Sequence, residues 1–313
     1  MRRLILRRLL ISVPLVIGVS LLTFLLQALT PGDTARAILG INYTPEAYAQ
    51  LRHQLGLDEP LLTQYWHWLT QALRGDLGVS PISGLSVASE IASRLSVTVS
   101  LILVTTLVAA ALGIGLGVFS AVRGGALGRT VDVLSLAGHS LPSFWLGLAL
   151  VTVFAVGLRA FPATGYVALD ASPGQWALSL VLPVTALAVH GIAVIAKQTR
   201  DGMLEVLSRE FVRALRAHGV SERSIVFRHA LRNAAIPVVT VVGIVFVHLL
   251  SGTVLVETVF AMPGLGGLAV DSTTQHDLPM IQGVVVVFTL IVVAVNLLVD
   301  LAYSWLNPKV RVR

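Results

Sequence analysis

Few residues in this 313-residue chain are equipped for chemistry, and they are scattered. His139, His190 and His248 carry imidazoles of a kind that suits Ni²⁺, but each lies in a different apolar run. A lone histidine among apolar helices serves more often as a hydrogen-bond donor in packing than as a ligand, so no metal site is expected. Ser140, Asn296 and Asp300 are the other polar groups of these runs, where such groups are costly and mark a passage by default. There is no cysteine, which excludes disulfides, thiolate ligands and thiol nucleophiles. H-E-x-x-H, paired intramembrane aspartates and a Ser–Lys pair placed for catalysis are all missing. The stretch from Gly124 to Thr130, GGALGRT, lacks the lysine and the spacing of a phosphate-binding loop, and GLGGLA from Gly264 follows an apolar run rather than a strand. The chain is expected to be no enzyme and to bind no cofactor of its own.

The strongest local signal is one of charge. Between Phe211 and Pro237 the sequence reads FVRALRAHGVSERSIVFRHALRNAAIP, a basic island between long apolar runs. Apolar positions recur at helical spacing from Met203 to His218. Gly219 stands where a helix C-terminus favours glycine, and Ser221 is placed to cap a second short helix over Ser224–Leu231. The outer face then carries Arg213, Arg216, His218, Glu222 and Arg223. Such a face suits anionic lipid at a membrane surface and equally a socket on a soluble partner. The angular corner favours the socket, because a lipid-binding helix needs no corner.

The elements holding this island are membrane spans. Hydrophobic residues make up 55% and charged ones only 12%, about half the charge of an ordinary soluble domain. Six runs are each long enough to cross a bilayer as a helix: Leu9–Leu29, Val97–Val122, Val133–Leu158, Trp176–Ala196, Ala234–Val256 and Met280–Val299. Pro14, Pro142 and Pro183 are tolerable inside such a bundle. An even number of spans puts both termini on one side. That side receives 17 of the 22 Lys and Arg, so both termini are expected in the cytoplasm. The net charge of +6 is then explained by basic loops at an anionic leaflet, with no nucleic acid involved.

The expected organisation is an N-terminal tail with the first span (residues 1–30) and an external helical segment (31–96). A core of spans (97–304) contains the cytoplasmic island at 198–233, and a short cytoplasmic tail (305–313) follows. In the external segment, Thr44 is a candidate N-cap ahead of Pro45 and Glu46, and a second helix is expected over Leu61–Arg74. Tyr65, Trp66 and Trp68 suit the headgroup level; a docking or lid surface is the alternative. Pro263, Gly264, Gly266 and Gly267 predict an external re-entrant turn with glycines at positive φ. GHSLPS, from Gly138 to Ser143, predicts a hinge or kink in the third span.

The island resembles the coupling segment of permeases in binding-protein-dependent ABC importers. It departs from their general pattern E-A-A-x3-G-x9-I-x-L-P but is close to the peptide and nickel branch. Arg213, Arg216, Ala217, Gly219, Arg228, His229, Ala230, Leu231, Arg232, Asn233, Ala234 and Pro237 fit that branch, with His218 replacing a usual lysine. LTPGD, GDLGVS, LPSFWLG, FPATG, VETVFAMPGLG and NLLVDLAYSWLNPKVR extend the likeness over nearly the whole chain. The resemblance implies an all-α type I importer permease with six transmembrane helices in a bacterial plasma membrane. It implies a second homologous permease subunit, two cytoplasmic ATPase subunits or domains that hold ATP and Mg, and an external solute-binding protein.

On that resemblance, Arg213, Ala214, Arg216, Ala217, Gly219, Val220, Ser221, Glu222 and Arg223 couple to the ATPase. His139, Ser140, Pro142, His190, His248 and Asn296 are candidates for the translocation path, and Pro263, Gly264, Gly266 and Gly267 for an external gate. The implied cargo is peptide, with nickel, glutathione or another small solute as alternatives. A stand-alone channel or carrier would leave the basic island unexplained.

Overall fold

The computed structural model describes residues 2–306 apart from 126, 127, 129, 131, 132, 134, 136, 137 and 139. Among these residues the architecture is helical, with a single isolated bridge between Val79 and Ser86. In chain order the helices are α1 (Arg2–Leu29), α2 (Thr34–Leu39), α3 (Pro45–Gln54), α4 (Leu61–Ala72), α5 (Val87–Arg123) and α6 (Ser143–Gly157). They continue as α7 (Pro173–Ser208), α8 (Glu210–Ala217), α9 (Glu222–Val259), α10 (Leu265–Thr274) and α11 (Leu278–Leu306). Five of them, α1, α5, α7, α9 and α11, are long and apolar enough to cross a membrane, and α6 is a shorter apolar helix.

The expected third span, Val133–Leu158, is therefore interrupted. Leu141 and Pro142 are not helical, and α6 begins only at Ser143. This places the break inside GHSLPS, because a residue preceding proline is steered away from helical torsions. The last part of α6, Val151–Gly157, is a π-helical turn.

The chain divides into two compact units. One consists of Val99–Met262 with the residues from Ala294 onward, and the other of Arg2–Thr98 with Pro263–Val293. In the first, α7 packs against both α6 and α9. The approach of α5 to α7 is set by small residues spaced four apart, Ala109, Gly113 and Gly117. A Cβ on Gly113 would lie 2.8 Å from Ile195 Cβ, and one on Gly117 would lie 2.5 Å from Thr199 Cβ and 2.6 Å from the Ala196 carbonyl oxygen. Small residues at this spacing let membrane helices touch backbone to backbone.

In the second unit, α4 packs on α1. Tyr65 is buried, with its hydroxyl 2.9 Å from Ser20 Oγ and donating to the Ile17 carbonyl at 3.2 Å. Trp66, in contrast, is exposed. The Thr44 cap is present, Oγ1 accepting from Ala47 N at 3.2 Å, and Pro45 opens α3. The loop between α10 and α11 is pinned at several points. Thr34 Oγ1 donates to the His276 carbonyl at 2.6 Å, His276 Nε2 donates to the Pro31 carbonyl at 3.1 Å, and Ser80 Oγ donates to Asp277. Gln282 Nε2 reaches the Ser20 carbonyl at 3.0 Å.

Candidate functional site

The basic island begins where α7 ends. The helix expected over Met203–His218 is two helices, because Arg209 is extended (φ −71°, ψ 151°). Ser208 Oγ donates to the Glu205 carbonyl, and Arg209 pairs with the Glu205 carboxylate at 2.6 Å. The serine bond competes with the helix at a point where neither glycine nor proline announces a stop.

Helix α8 turns a single fully buried side chain, Val212, inward. Arg213, Ala214, Arg216, Ala217 and His218 are all exposed. Its C-terminus closes in a Schellman motif: Val220 N donates to the Leu215 carbonyl at 3.1 Å and Gly219 N to the Arg216 carbonyl at 3.0 Å. Gly219 has φ +74°, the left-handed torsion this motif requires at that position. The His218 ring adds a further bond, Nδ1 donating to the Ala214 carbonyl at 2.7 Å.

Across this corner Arg216 and Glu222 form a two-point pair, Nε to Oε1 at 2.6 Å and a second guanidinium nitrogen to Oε2 at 3.2 Å. The Glu222 carboxylate holds the Arg216 guanidinium above its ordinary pKa, through the hydrogen bond first and its charge second. Arg216, one of the cations on the expected outer face, is thus engaged within the chain. Ser221 has the backbone torsions of a cap but makes no side-chain capping bond; only its carbonyl is engaged, by Ile225 N at 3.0 Å. The second short helix is the start of α9, and it passes through a π-helical turn at Ile225–Ala230. That turn buries Ile225, Val226 and Ala230.

The corner stands on a packed base. Val118 and Ala121 of α5, Met203 and Val206 of α7, and Val226, Ala230 and Ala234 of α9 form one buried cluster. Three spans therefore share the footing of the island, and a force on the corner is delivered to close-packed side chains. Because the Arg216–Glu222 pair is exposed, its effect is chiefly geometric. Glu222→Arg is expected to lower the protein's assembled activity by no more than about fivefold. The swap Arg216→Glu with Glu222→Arg is expected to restore it, and failure of the swap to rescue would deny the clamp a role.

The candidates for the path are less concentrated. Ser140, Pro142, His248 and Asn296 are exposed, and His190 is half-buried and engaged in a polar contact; His139 lies outside the described residues. His190 and His248 stand on α7 and α9, and the described residues contain no gathering of three or more potential metal ligands.

The external glycines differ from expectation. Gly264 is extended with φ −102° and precedes α10, while Gly266 and Gly267 lie inside its first turns. The left-handed torsions fall at Ala261 (φ 47°) and His276 (φ 57°). Each closes a Schellman motif, with Met262 N donating to the Glu257 carbonyl and Asp277 N to the Ser272 carbonyl. The helix-stop bonds outweigh the penalty of a Cβ, so no glycine signals these turns.

Comparison with known proteins agrees with this architecture. Residues 113–312 match the family described as "Binding-protein-dependent transport system inner membrane component", and residues 1–102 match its N-terminal membrane component. A Sinorhizobium fredii protein named as a peptide ABC transporter permease is 41% identical over 98% of both chains. A Brucella abortus protein named for peptide transport is 42% identical over 99% of both. The glutathione transport system permease protein GsiC of Salmonella choleraesuis is 41% identical over 98% of both. Among solved structures, the inward-facing MetNI methionine ABC transporter matches with a TM-score of 0.54 at 19% identity, over 69% of this chain and 96% of that one; at that identity the likeness speaks for the fold. Five long apolar helices carrying this family's sequence make the protein a multi-pass component of the inner membrane. With full-length relatives above 40% identity and the family profile spanning most of its length, the chain belongs to the binding-protein-dependent transport system inner membrane components.

Proposed function

We propose that this chain forms half of the translocation pathway of an ATP-driven importer for peptides, working beside a second, homologous permease subunit. Both termini and the 198–233 island face the cytoplasm, and residues 31–96 lie outside, where a solute-binding protein delivers the cargo. The corner from Arg213 to Arg223 docks on a cytoplasmic ATPase subunit, which with its twin binds ATP and Mg and performs the hydrolysis. Closure of the ATPases then moves the permease between inward- and outward-open states. Arg213 is the cation of the corner best placed for a partner's carboxylates, since Arg216 is occupied and Arg223 lines the groove beside α5. Ser140, Pro142, His139, His190, His248 and Asn296 remain the candidates for the path, and Pro263, Gly264, Gly266 and Gly267 for the external gate.

The observation that carries this reading is the Gly219 corner, exposed at its tip and rooted in the packed ends of three spans. Peptide is favoured as cargo by the names of the relatives. The test is to purify the complex assembled with its partners and measure ATP hydrolysis on adding binding protein loaded with peptides, glutathione or chelated nickel. Stimulation by peptide-loaded protein is expected. Stimulation by glutathione alone would move the cargo, and transport undiminished without any ATPase would overturn the importer reading.

A further inference from the structure

Beside the root of the corner, the first unit carries an open groove of about 430 Å³ between α5 and the start of α9. Ile114, Val118, Phe119 and Val122 form one wall, and Val226, Phe227 and Leu231 the other. The walls are almost purely apolar, and Phe119, Val122 and Phe227 are 46%, 54% and 62% exposed. One end is polar. Arg223 and Glu222 line it, and Arg123 lies with its guanidinium 5.2 Å from the Phe119 ring centroid. Both Glu222 oxygens are taken by Arg216, so the cations dominate that end.

An apolar trough with one guanidinium in its lining and a second over one of its phenyl rings is complementary to one class of molecule, an amphiphile with an acyl chain and an anionic head. We propose that the groove is a binding site for a single anionic phospholipid. Its chain lies along Val118, Phe119 and Phe227, and its phosphate sits between Arg123 and Arg223. Arginines at the cytoplasmic ends of spans are the usual partners of such headgroups; the assignment to the cytoplasmic leaflet rests on the orientation proposed above. Because Val118 and Val226 also belong to the buried footing of the corner, an occupied groove would brace the segment that meets the ATPase.

Gly115 offers a clean test. It lines the groove, and a Cβ built on it meets nothing within 4 Å. Gly115→Leu should therefore fill the trough without disturbing the fold. The assembled complex would be equilibrated with mixed micelles containing phosphatidylglycerol or phosphatidylcholine, purified, and its retained lipid counted by native mass spectrometry.

Wild-type protein should retain one phosphatidylglycerol per copy of this chain that Gly115→Leu loses. Arg123→Gln and Arg223→Gln should each reduce its retention severalfold, and phosphatidylcholine should not be retained at all. Equal retention in all variants would overturn the site, as would equal retention of both lipids. Cross-linking that finds a protein helix seated against Phe119 and Phe227 would overturn it too. Lipid counting does not require coupled transport, so failure of the importer reading would leave this result standing on its own.

Discussion

Replacing Gly117 by valine is expected to lower the thermal midpoint of the detergent-purified protein by roughly 5–10 °C, a loss of a few kcal/mol in a chain of this size. The reason is the approach of α5 to α7. A Cβ at this position would stand 2.6 Å from the Ala196 carbonyl oxygen and 2.5 Å from Thr199 Cβ. Both belong to a helix that cannot move aside without carrying its own packing against α6 and α9. The modest gain in helix propensity on leaving glycine is well under 1 kcal/mol and does not offset it. Gly115→Ala, two residues away on the open side of the same helix, should melt with wild type or slightly above. If both variants melt alike, the close approach of α5 to α7 does not contribute as described.

The contrast between Gly115 and Gly117 indicates what the sequence can and cannot convey. Spans were legible because burial in lipid forbids charge over about 20 residues, and the Gly219 corner because a left-handed stop favours glycine. Their lengths were not. Helix α5 starts at Val87, ten residues before its apolar run. Its outer turns carry a Glu90–Arg94 pair at 3.2 Å that a hydropathy reading takes for loop. The break at Arg209 was hidden because no glycine or proline marks it, and the one local competitor is a serine hydroxyl, Ser208, bonding back to the Glu205 carbonyl. Ala261 and His276 take left-handed torsions without any glycine to announce them. The burial of Tyr65 was hidden for a different reason. Its partner Ser20 is 45 residues away in sequence, and pairing at that distance leaves no local pattern. The Arg216–Glu222 clamp is a nearer instance of the same limit, since residues six apart meet only because the chain turns at Gly219.

The clearest consequence of that turn is a graded series at Gly219 itself. A Cβ at this position meets nothing within 4 Å, so space is no obstacle, and only the φ of +74° penalises a substitution. Asparagine adopts such torsions readily, alanine at a cost of about 1 kcal/mol, and a β-branched residue at more. If the corner transmits force to or from an ATPase, coupling should follow the same order: glycine and asparagine close together, alanine lower, valine lowest. For Gly219→Val the bonds from Val220 to Leu215 and from Gly219 to Arg216 are expected to open. The clamp to Glu222 should go with them, since it depends on the same reversal of the chain. ATP-dependent uptake into vesicles should then fall by tenfold or more for a distortion costing about 2 kcal/mol at an interface that must seat correctly. Membrane insertion should be unchanged, because Gly219 lies outside the packed cluster. The order separates a conformational requirement from a steric one, since asparagine is larger than alanine yet should be better tolerated. Uptake that tracks side-chain volume instead, or that is normal in the valine variant at normal membrane levels, would remove the corner from the coupling path.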